Sequence, residues 1–409
     1  MIARLGFWSA ALVVAFTYVG APILILVRAA LRPRPVAAAP IEPTVAVVIA
    51  ARNEADRIGA RVDNLAALDY PVERLSVVVA SDGSDDGTVA IARSRAAASP
   101  GRAIEVLDLG RVGKADALNA AVARASAEIV VFSDANTAFA PDAIRRIVAP
   151  FADPEVGGVA GNQVYLPAGS APEDSHGERG YWDLDRVLKR AESAAGSTIS
   201  ATGAIYALRR ELVPPVIAGV TDDFYVSTAV VAAGRRLVFA PDAIAWEPPA
   251  AGARLEYGRK VRIMTRGLRG VAVRRALLDP RRHGFYSVQL LWHKVLRRLM
   301  VVPLGVIALT SLALVRGGAL YRLVVLGQLG GYVLAAAGLL APRSRLGRSR
   351  PAGLAAFFAM VNLASLEALW NLVTNRRIDR WEPHRAEPPA SAPAGDDPAG
   401  DDPATGGRP

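Results

Sequence analysis

The chain is expected to fold as an α/β domain on a mostly parallel sheet, held between apolar helices that belong in a membrane. Three observations carry this expectation. Strand-like and helix-like segments alternate from Thr44 to Ser133, the order that a parallel sheet requires. Long uncharged runs stand towards both ends of the 409 residues, of which 52% are hydrophobic. Polar side chains recur just beyond the strand-like segments, at the rim where open α/β sheets bind ligands.

Residues 5–27 form an uncharged apolar run. As a helix it spans about 34 Å, enough to cross a bilayer. It is too long for the core of a signal peptide, so residues 1–31 are read as an uncleaved anchor. Arg28, Arg32 and Arg34 follow it and place the next domain in the cytoplasm by the positive-inside rule. Residues 32–43, spaced by prolines, form a linker.

The α/β domain is expected over 44–285. Its strands fall at 44–51 (TVAVVIAA), 75–81 (LSVVVAS), 103–109 and 128–133, with helices at 54–67, from about 86, and at 114–125. Beyond Pro141 the pattern becomes mixed. Residues 286–298 hold Tyr286, Leu290, Leu291 and Trp292 among His293, Lys294, Arg297 and Arg298, which reads as a helix in the membrane interface. Apolar runs at 299–315, 323–341 and 352–374 are three candidate spans within a C-terminal membrane region, 299–385. Arg343, Arg345, Arg348 and Arg350 make the loop before the last span cytoplasmic. Four crossings then leave Arg376, Arg377, Arg380 and Arg385 outside, so either the last run does not cross or the charge rule fails there. The tail, 386–409, is low-complexity and expected to be disordered.

Composition removes several function classes. Without cysteine there is no disulfide, zinc–thiolate site, iron–sulfur cluster or cysteine nucleophile. The four histidines are never paired at i, i+4, so no HExxH zinc site exists and a metal here is oxygen-bound. The net charge is +10, and between Arg254 and Arg298 thirteen Lys or Arg face only Glu256 and Asp279. A basic block against an apolar run meets anionic lipid headgroups more simply than it meets nucleic acid.

The first strand is followed by ARNEADRI, with no glycine-rich turn, so the dinucleotide fingerprint is missing. Gly113-Lys114 lacks the spacing of a P-loop. The stretch 82–88 (DGSDDGT) matches the start of an EF-hand loop, but Arg93 stands where the bidentate glutamate belongs. What remains is a set of polar residues at successive strand ends: Arg52, Asn53 and Glu54, Asp82, Lys114, and Asp134 with Asn136. Acids there accept hydrogen bonds from a base and a ribose, and a lysine meets a diphosphate. In VVFSDANT, Asp134 and Asn136 offer two hard oxygens to Mg²⁺ or Mn²⁺. The same tripeptide also reads as an Asx-turn.

VAVVIAARNEADRI, VVVASDGSDDGT, the GKADALN around Lys114, and VVFSDANT resemble, in order and spacing, the nucleotide-sugar half of family 2 inverting glycosyltransferases, a group that includes cellulose, hyaluronan and poly-N-acetylglucosamine synthases. The resemblance runs over about 44–270. It implies a GT-A fold, a Rossmann-like sheet without the dinucleotide fingerprint. It also implies a UDP-sugar donor, with Glu54 and Asp82 at uracil and ribose, Lys114 and Arg52 near the nucleotide, and Asp134 with Asn136 in the place of the Asp-x-Asp metal motif. ATGAIYALRRE resembles the acceptor-side segment, with Gly203 and Ala204 close to the acceptor. In Thr221-Asp222-Asp223, Asp223 aligns with the general base and Asp222 with the glutamate before it. Processive members carry Gln-x-x-Arg-Trp after the base. The matching stretch here, Arg259-Lys260-Val261-Arg262-Ile263, keeps basic residues for a diphosphate (Arg259 and Arg262) and lacks the glutamine and tryptophan.

The resemblance therefore implies a multi-pass cell-membrane enzyme. It would move a sugar from a UDP-sugar, with Mg²⁺ or Mn²⁺, onto a polysaccharide or lipid-linked acceptor at the cytoplasmic face. Two alternatives remain at this point. One is a non-processive enzyme that glycosylates a membrane lipid. The other is an inactive nucleotide-binding scaffold.

Overall fold

The computed structural model describes residues 1–165, 175–248 and 253–376, with side chains described except at 175–184 and 253–256. The expected tail, 386–409, and Arg377, Arg380 and Arg385 lie outside the described residues. The chain begins with α1 (Ile2–Ala15) and α2 (Ala21–Leu31), joined through a π-helical turn over Phe16–Gly20 into one apolar helix of 30 residues.

β1 (Val45–Ala51) is central to the sheet, and every residue in it is buried. A strand covered on both faces requires an unbroken apolar run rather than alternation, and VAVVIAA is one. It pairs in parallel with β2 (Leu75–Asp82) on one side and β4 (Ile129–Asp134) on the other, while β3 (Ala103–Leu109) adds in parallel outside β2. The crossovers are α3 (Ala55–Ala66), α4 (Thr88–Ala97) and α5 (Lys114–Arg124). Register sets the rim: Ala50 pairs with both Ala80 and Asp134, so the ends of β1, β2 and β4 lie level.

Past β4 the sheet turns mixed, as the change of pattern beyond Pro141 leads one to expect. β5 (Ala138–Phe139), α6 (Ala143–Val148), β6 (Val156–Tyr165), α7 (Ser175–Ala195), β7 (Tyr206–Arg209), α8 (Asp222–Ala232), β8 (Arg236–Glu247) and α9 (Ala253–Val273) follow in order. β7 is antiparallel to β4 and to β6, and β8 runs parallel to β6. Among the described residues the sheet has eight strands in the order β3-β2-β1-β4-β7-β6-β8-β5. One apolar cluster lies on each face, the first around Ile49, Ile58 and Ile144, the second around Val48, Leu118 and Tyr206.

Within the acidic stretch, residues 84–88 hold the start of α3. Asp86 Oδ2 accepts from Ala55 N at 3.2 Å, and Thr88 Oγ1 accepts from Glu54 N at 2.8 Å, so this loop caps α3. Asn53 bridges the two loops by donating from its N to Ser84 Oγ and accepting from Asp85 N at Oδ1, both at 3.0 Å. It does so at φ 51°, a left-handed conformation that asparagine tolerates.

Glu192 on α7 is a buried acid with a scaffolding role. Its Oε2 accepts from Ile199 N at 3.0 Å and Thr198 Oγ1 at 3.2 Å, and burial pushes its carboxyl up to about 7. A carboxyl that binds its proton more tightly in the folded state loses stability as pH rises from the unfolded value through the folded one. Glu192→Gln is therefore expected to unfold several degrees higher than the parent at pH 8 and to show no such gain at pH 5. Thermal unfolding at the two pH values checks this.

The C-terminal part comprises α10 (Pro280–His283), α11 (Phe285–Leu290) continuing as a π-helix over Leu291–Leu296, α12 (Val301–Ala313), α13 (Ala319–Leu340) and α14 (Arg350–Val373). α13 and α14 are long and apolar enough to cross a membrane, as is the N-terminal helix. The run expected at 299–315 forms only the 13 residues of α12. It reaches crossing length only together with Phe285–Leu296, from which it bends by 62°. In the stretch expected to lie on the membrane interface, Tyr286, Leu290 and Trp292 are buried against the protein while Leu291 is exposed. Tyr286 is 6%, Leu290 0% and Trp292 2% exposed. Trp292 packs with Ala21, Ile25 and Leu188, and its Nε1 donates to Thr17 O at 2.7 Å, a carbonyl in the π turn of the N-terminal helix. An amphipathic period tells of an apolar stripe but not of what covers it.

Candidate active site

β4 delivers Asp134 to the rim and the turn after it is tied down. Thr137 Oγ1 donates to Asp134 O at 2.9 Å, and Ser133 Oγ donates to Ala204 O at 2.8 Å. Behind it, Arg61 of α3 donates from Nη2 to Ser133 Oγ at 2.7 Å and lies 4.1 Å over the Phe139 ring. Burial pulls the Arg61 guanidinium down to about 9, opposed by the charge of Asp134. Gly203 faces Asp134 directly: a Cβ there would stand 2.6 Å from Asp134 Oδ2. Gly203 and Ala204 thus shape the space and position of the metal-motif aspartate.

Lys114 opens α5 and reaches two acids at once, Asp134 Oδ1 at 2.8 Å and Asp222 Oδ2 at 3.0 Å. Burial works against its ammonium, but the two carboxylates outweigh that and hold the lysine above its ordinary value. Burial likewise works to raise Asp222, and Lys114 overcomes it, keeping the carboxyl low. Asp82 accounts for where Lys114 stands. Its Oδ1 accepts from Val112 N and Gly113 N, each at 2.7 Å, which fixes the loop before α5 with Gly113 at φ 94°. Arg52 closes that corner by donating from Nη1 to Asp82 O at 3.0 Å. Glu54, at the N-terminus of α3, lies 3.9 Å from Arg57. Arg52, Glu54 and Asp82 therefore form the β1–β2 corner, while Lys114, Asp134 and Asp222 meet in a second group.

Asp222 and Asp223 begin α8, where the helix dipole favours anions. Their carboxylates have different partners, Asp222 pairing with Lys114. Asp223 Oδ1 accepts from Phe224 N at 2.6 Å, and burial and then Asp222 push its carboxyl up to about 6 against the charge of Lys294. α9 supplies the cations. Arg262 is drawn down by burial and by Arg266 and Arg259, with Asp134 and Asp222 opposing, so these three arginines share the neighbourhood of the cluster.

Four residues that the sequence did not single out complete the site. Glu247, at the end of β8, takes hydrogen bonds from Asn136 Nδ2 at 3.3 Å and from Gln163 Nε2, and burial followed by Asp134 pushes it up to about 7. Tyr206 stacks on Phe132 at 4.9 Å, and its buried hydroxyl has no hydrogen-bond partner among the described residues. Burial and then Asp222, Asp223 and Asp134 hold that phenol well above its ordinary value. Arg266 and Lys294 add charge from α9 and from the Leu291–Leu296 turn. Only Arg266 carried a local signal, being one helical turn beyond Arg262 on a basic helix.

Among the described residues no group of three or more His, Asp or Glu could hold a metal ion by itself. The donor set nevertheless suits a divalent cation that shares its ligands with a diphosphate. Burial and then the negative charge of Asp134 raise Glu247, whose Oε1 also accepts from Asn136 Nδ2, and a hard cation placed near these acids would offset that repulsion.

The family model described as Glycosyltransferase like family 2 matches residues 43–270, more than half of the chain. A β-monoglucosyldiacylglycerol synthase from Synechocystis sp. is 36% identical over 28% of this chain and 24% of its own length. An N-acetylglucosaminyltransferase from Rhizobium meliloti is 30% identical over 51% of this chain and 53% of its own length. The chain thus spans about half, or less, of these curated relatives. The solved structure of a mannosyltransferase from Pyrobaculum calidifontis, in complex with GDP-Man and Mn²⁺, aligns over 90% of this chain and 99% of its own, with TM-score 0.67 and 28% identity. The chain belongs to the glycosyltransferase-like family 2 and has the GT-A fold.

Proposed function

We propose that the protein transfers a sugar from a nucleoside-diphosphate sugar to a hydroxyl of a carbohydrate or lipid-linked acceptor, with inversion, at the cytoplasmic face of the membrane. The observation that carries this is Lys114 held between Asp134 and Asp222, with the arginines of α9 and the raised carboxyl of Asp223 acting on the same acids. The acceptor oxygen attacks the anomeric carbon from the side opposite the diphosphate. Its proton passes to Asp223 as the bond to the diphosphate oxygen breaks. Arg259, Arg262 and Lys114 meet the charge that develops on the leaving diphosphate. A divalent cation held by Asp134, with Asn136 and Glu247, would supply further neutralisation of that diphosphate.

The motifs favour a UDP-sugar. The similarity to a mannosyltransferase bound to GDP-Man, over nearly the whole chain, supports a second reading in which the donor is a GDP-sugar. Ile263 in place of the tryptophan of processive members, together with the lipid-named relative, supports addition of one or a few sugars to a lipid. Arg28 in the last turn of the first span, with Arg32 and Arg34 just after it, supports the cytoplasmic placement.

The test is nucleotide release by the detergent-solubilised protein from a panel of UDP- and GDP-sugars, with Mn²⁺, Mg²⁺ or EDTA, and with lipid and oligosaccharide acceptors. Metal-dependent release from one donor is the expected result and names it. Nucleotide binding without release from any donor or acceptor would instead mark an inactive scaffold.

A further inference from the structure

A cleft of about 540 Å³ opens where the N-terminal apolar helix, the α10–α11 segment and the end of β8 remote from Glu247 meet. None of its lining residues belongs to the Lys114 cluster or to α9. Five arginines and His283 line it against a single acid, Glu155. Three of those arginines are engaged. Arg235 donates to Pro154 O at 2.6 Å, and Arg236 donates to the carbonyls of Gly196, Pro35 and Arg34, fastening the linker to the domain. Arg34 pairs with Glu155 at 3.0 Å, so the wall's own acid is already neutralised.

The other groups keep donors in hand. Arg28 stacks at 5.5 Å over Phe285, and its buried Nε makes no hydrogen bond among the described residues. Gln289 is 2% exposed, yet its Nε2 meets no acceptor among the described residues. Arg282 lines the mouth, its side chain 74% exposed and 3.5 Å from Asp279. Burying a donor without an acceptor is unfavourable, and the two residues that carry these donors both line one cationic cleft. Guanidinium and amide N–H groups around a space of this size are the complement of a phosphate. Arg28 lies in the last turn of the N-terminal span, which sets the cleft at the level of the membrane surface.

We propose that this cleft binds a phosphate-bearing anion at the membrane surface, held by Arg28, Arg282 and the Gln289 amide. The phosphodiester of an anionic lipid and free inorganic phosphate share that chemistry. The test uses the full-length protein, in detergent with inorganic phosphate and in phosphatidylcholine nanodiscs with or without phosphatidylglycerol. Thermal unfolding and native mass spectrometry are the readouts. Gln289→Met keeps volume and removes the donor, Arg28→Gln removes the charge, and Arg282→Ser changes a mainly exposed residue without disturbing packing. Wild-type protein is expected to be stabilised by phosphatidylglycerol and to retain it, with each variant weakened by about tenfold. A variant-sensitive response to phosphate alone would assign a soluble anion, and one confined to phosphatidylglycerol a lipid. Equal responses in wild type and all three variants, or no response of the wild type to either probe, would overturn the proposal.

Discussion

Asp223→Asn is expected to lower the rate of sugar transfer by roughly 10²- to 10⁴-fold, the range a positioned general base contributes, while leaving nucleotide binding intact. The expectation rests on geometry first. Asp223 sits in the first turn of α8, one residue past the acid that Lys114 binds, and one of its oxygens is oriented by Phe224 N at 2.6 Å. That leaves the second oxygen for an acceptor hydroxyl. Burial and Asp222 raise its carboxyl to about 6, with Lys294 and Lys114 acting the other way. A base works when ionised, so the rate should fall tenfold per pH unit below about 6 and level off above it. Glu247, pushed up to about 7, is the other acid that could shape this profile. Glu247→Gln should keep the limb near 6. A pH–rate profile of the three proteins decides the matter, and full transfer by Asp223→Asn would remove Asp223 from the role.

Asp134→Asn is expected to cost roughly 10²- to 10³-fold in kcat/KM, the scale of losing one electrostatic contact to a leaving group. The Mn²⁺ concentration giving half-maximal rate should rise at the same time. Asp134 is the point where Lys114, Gly203 and the pressure on Glu247 meet. Its place is enforced from behind by the hydrogen bonds of Ser133, Thr137 and Arg61. Gly203→Ala provides an independent check, since a Cβ 2.6 Å from Asp134 Oδ2 must displace the carboxylate. It should reproduce the metal defect in weaker form. Metal titrations of initial rate read both variants, and unchanged metal dependence in Asp134→Asn would detach the metal from this residue.

Much of the parallel half of the sheet was legible because its rules are local. An unbroken apolar run such as VAVVIAA reads as a strand buried on both faces, and the residue after such a strand lies at the rim whatever the rest of the chain does. Lys114, Asp134 and Asn136 were found on that ground. Asp222 and Asp223 were found through motif resemblance, since locally they read equally well as acids at a helix N-terminus. Asp82 shows the limit of this reading. The sequence places an acid at a strand end, but that its carboxylate takes Val112 N and Gly113 N, and so aims Lys114, depends on a loop about thirty residues away.

The sequence by itself determined the α/β alternation, the apolar helices and the identity of the residues at the strand ends. The tertiary structure decided which of them meet. Glu247 reaches Asn136 across 111 residues, and Tyr206 reaches the acids through an antiparallel pairing of β7 with β4. Within the stretch with a membrane-interface pattern, Trp292 is covered by the N-terminal helix and α7. The physical reason is common to all three. Periodicity and propensity fix the state of each segment, but burial and charge pairing are properties of the surface each segment lands on, and that surface is made by distant parts of the chain.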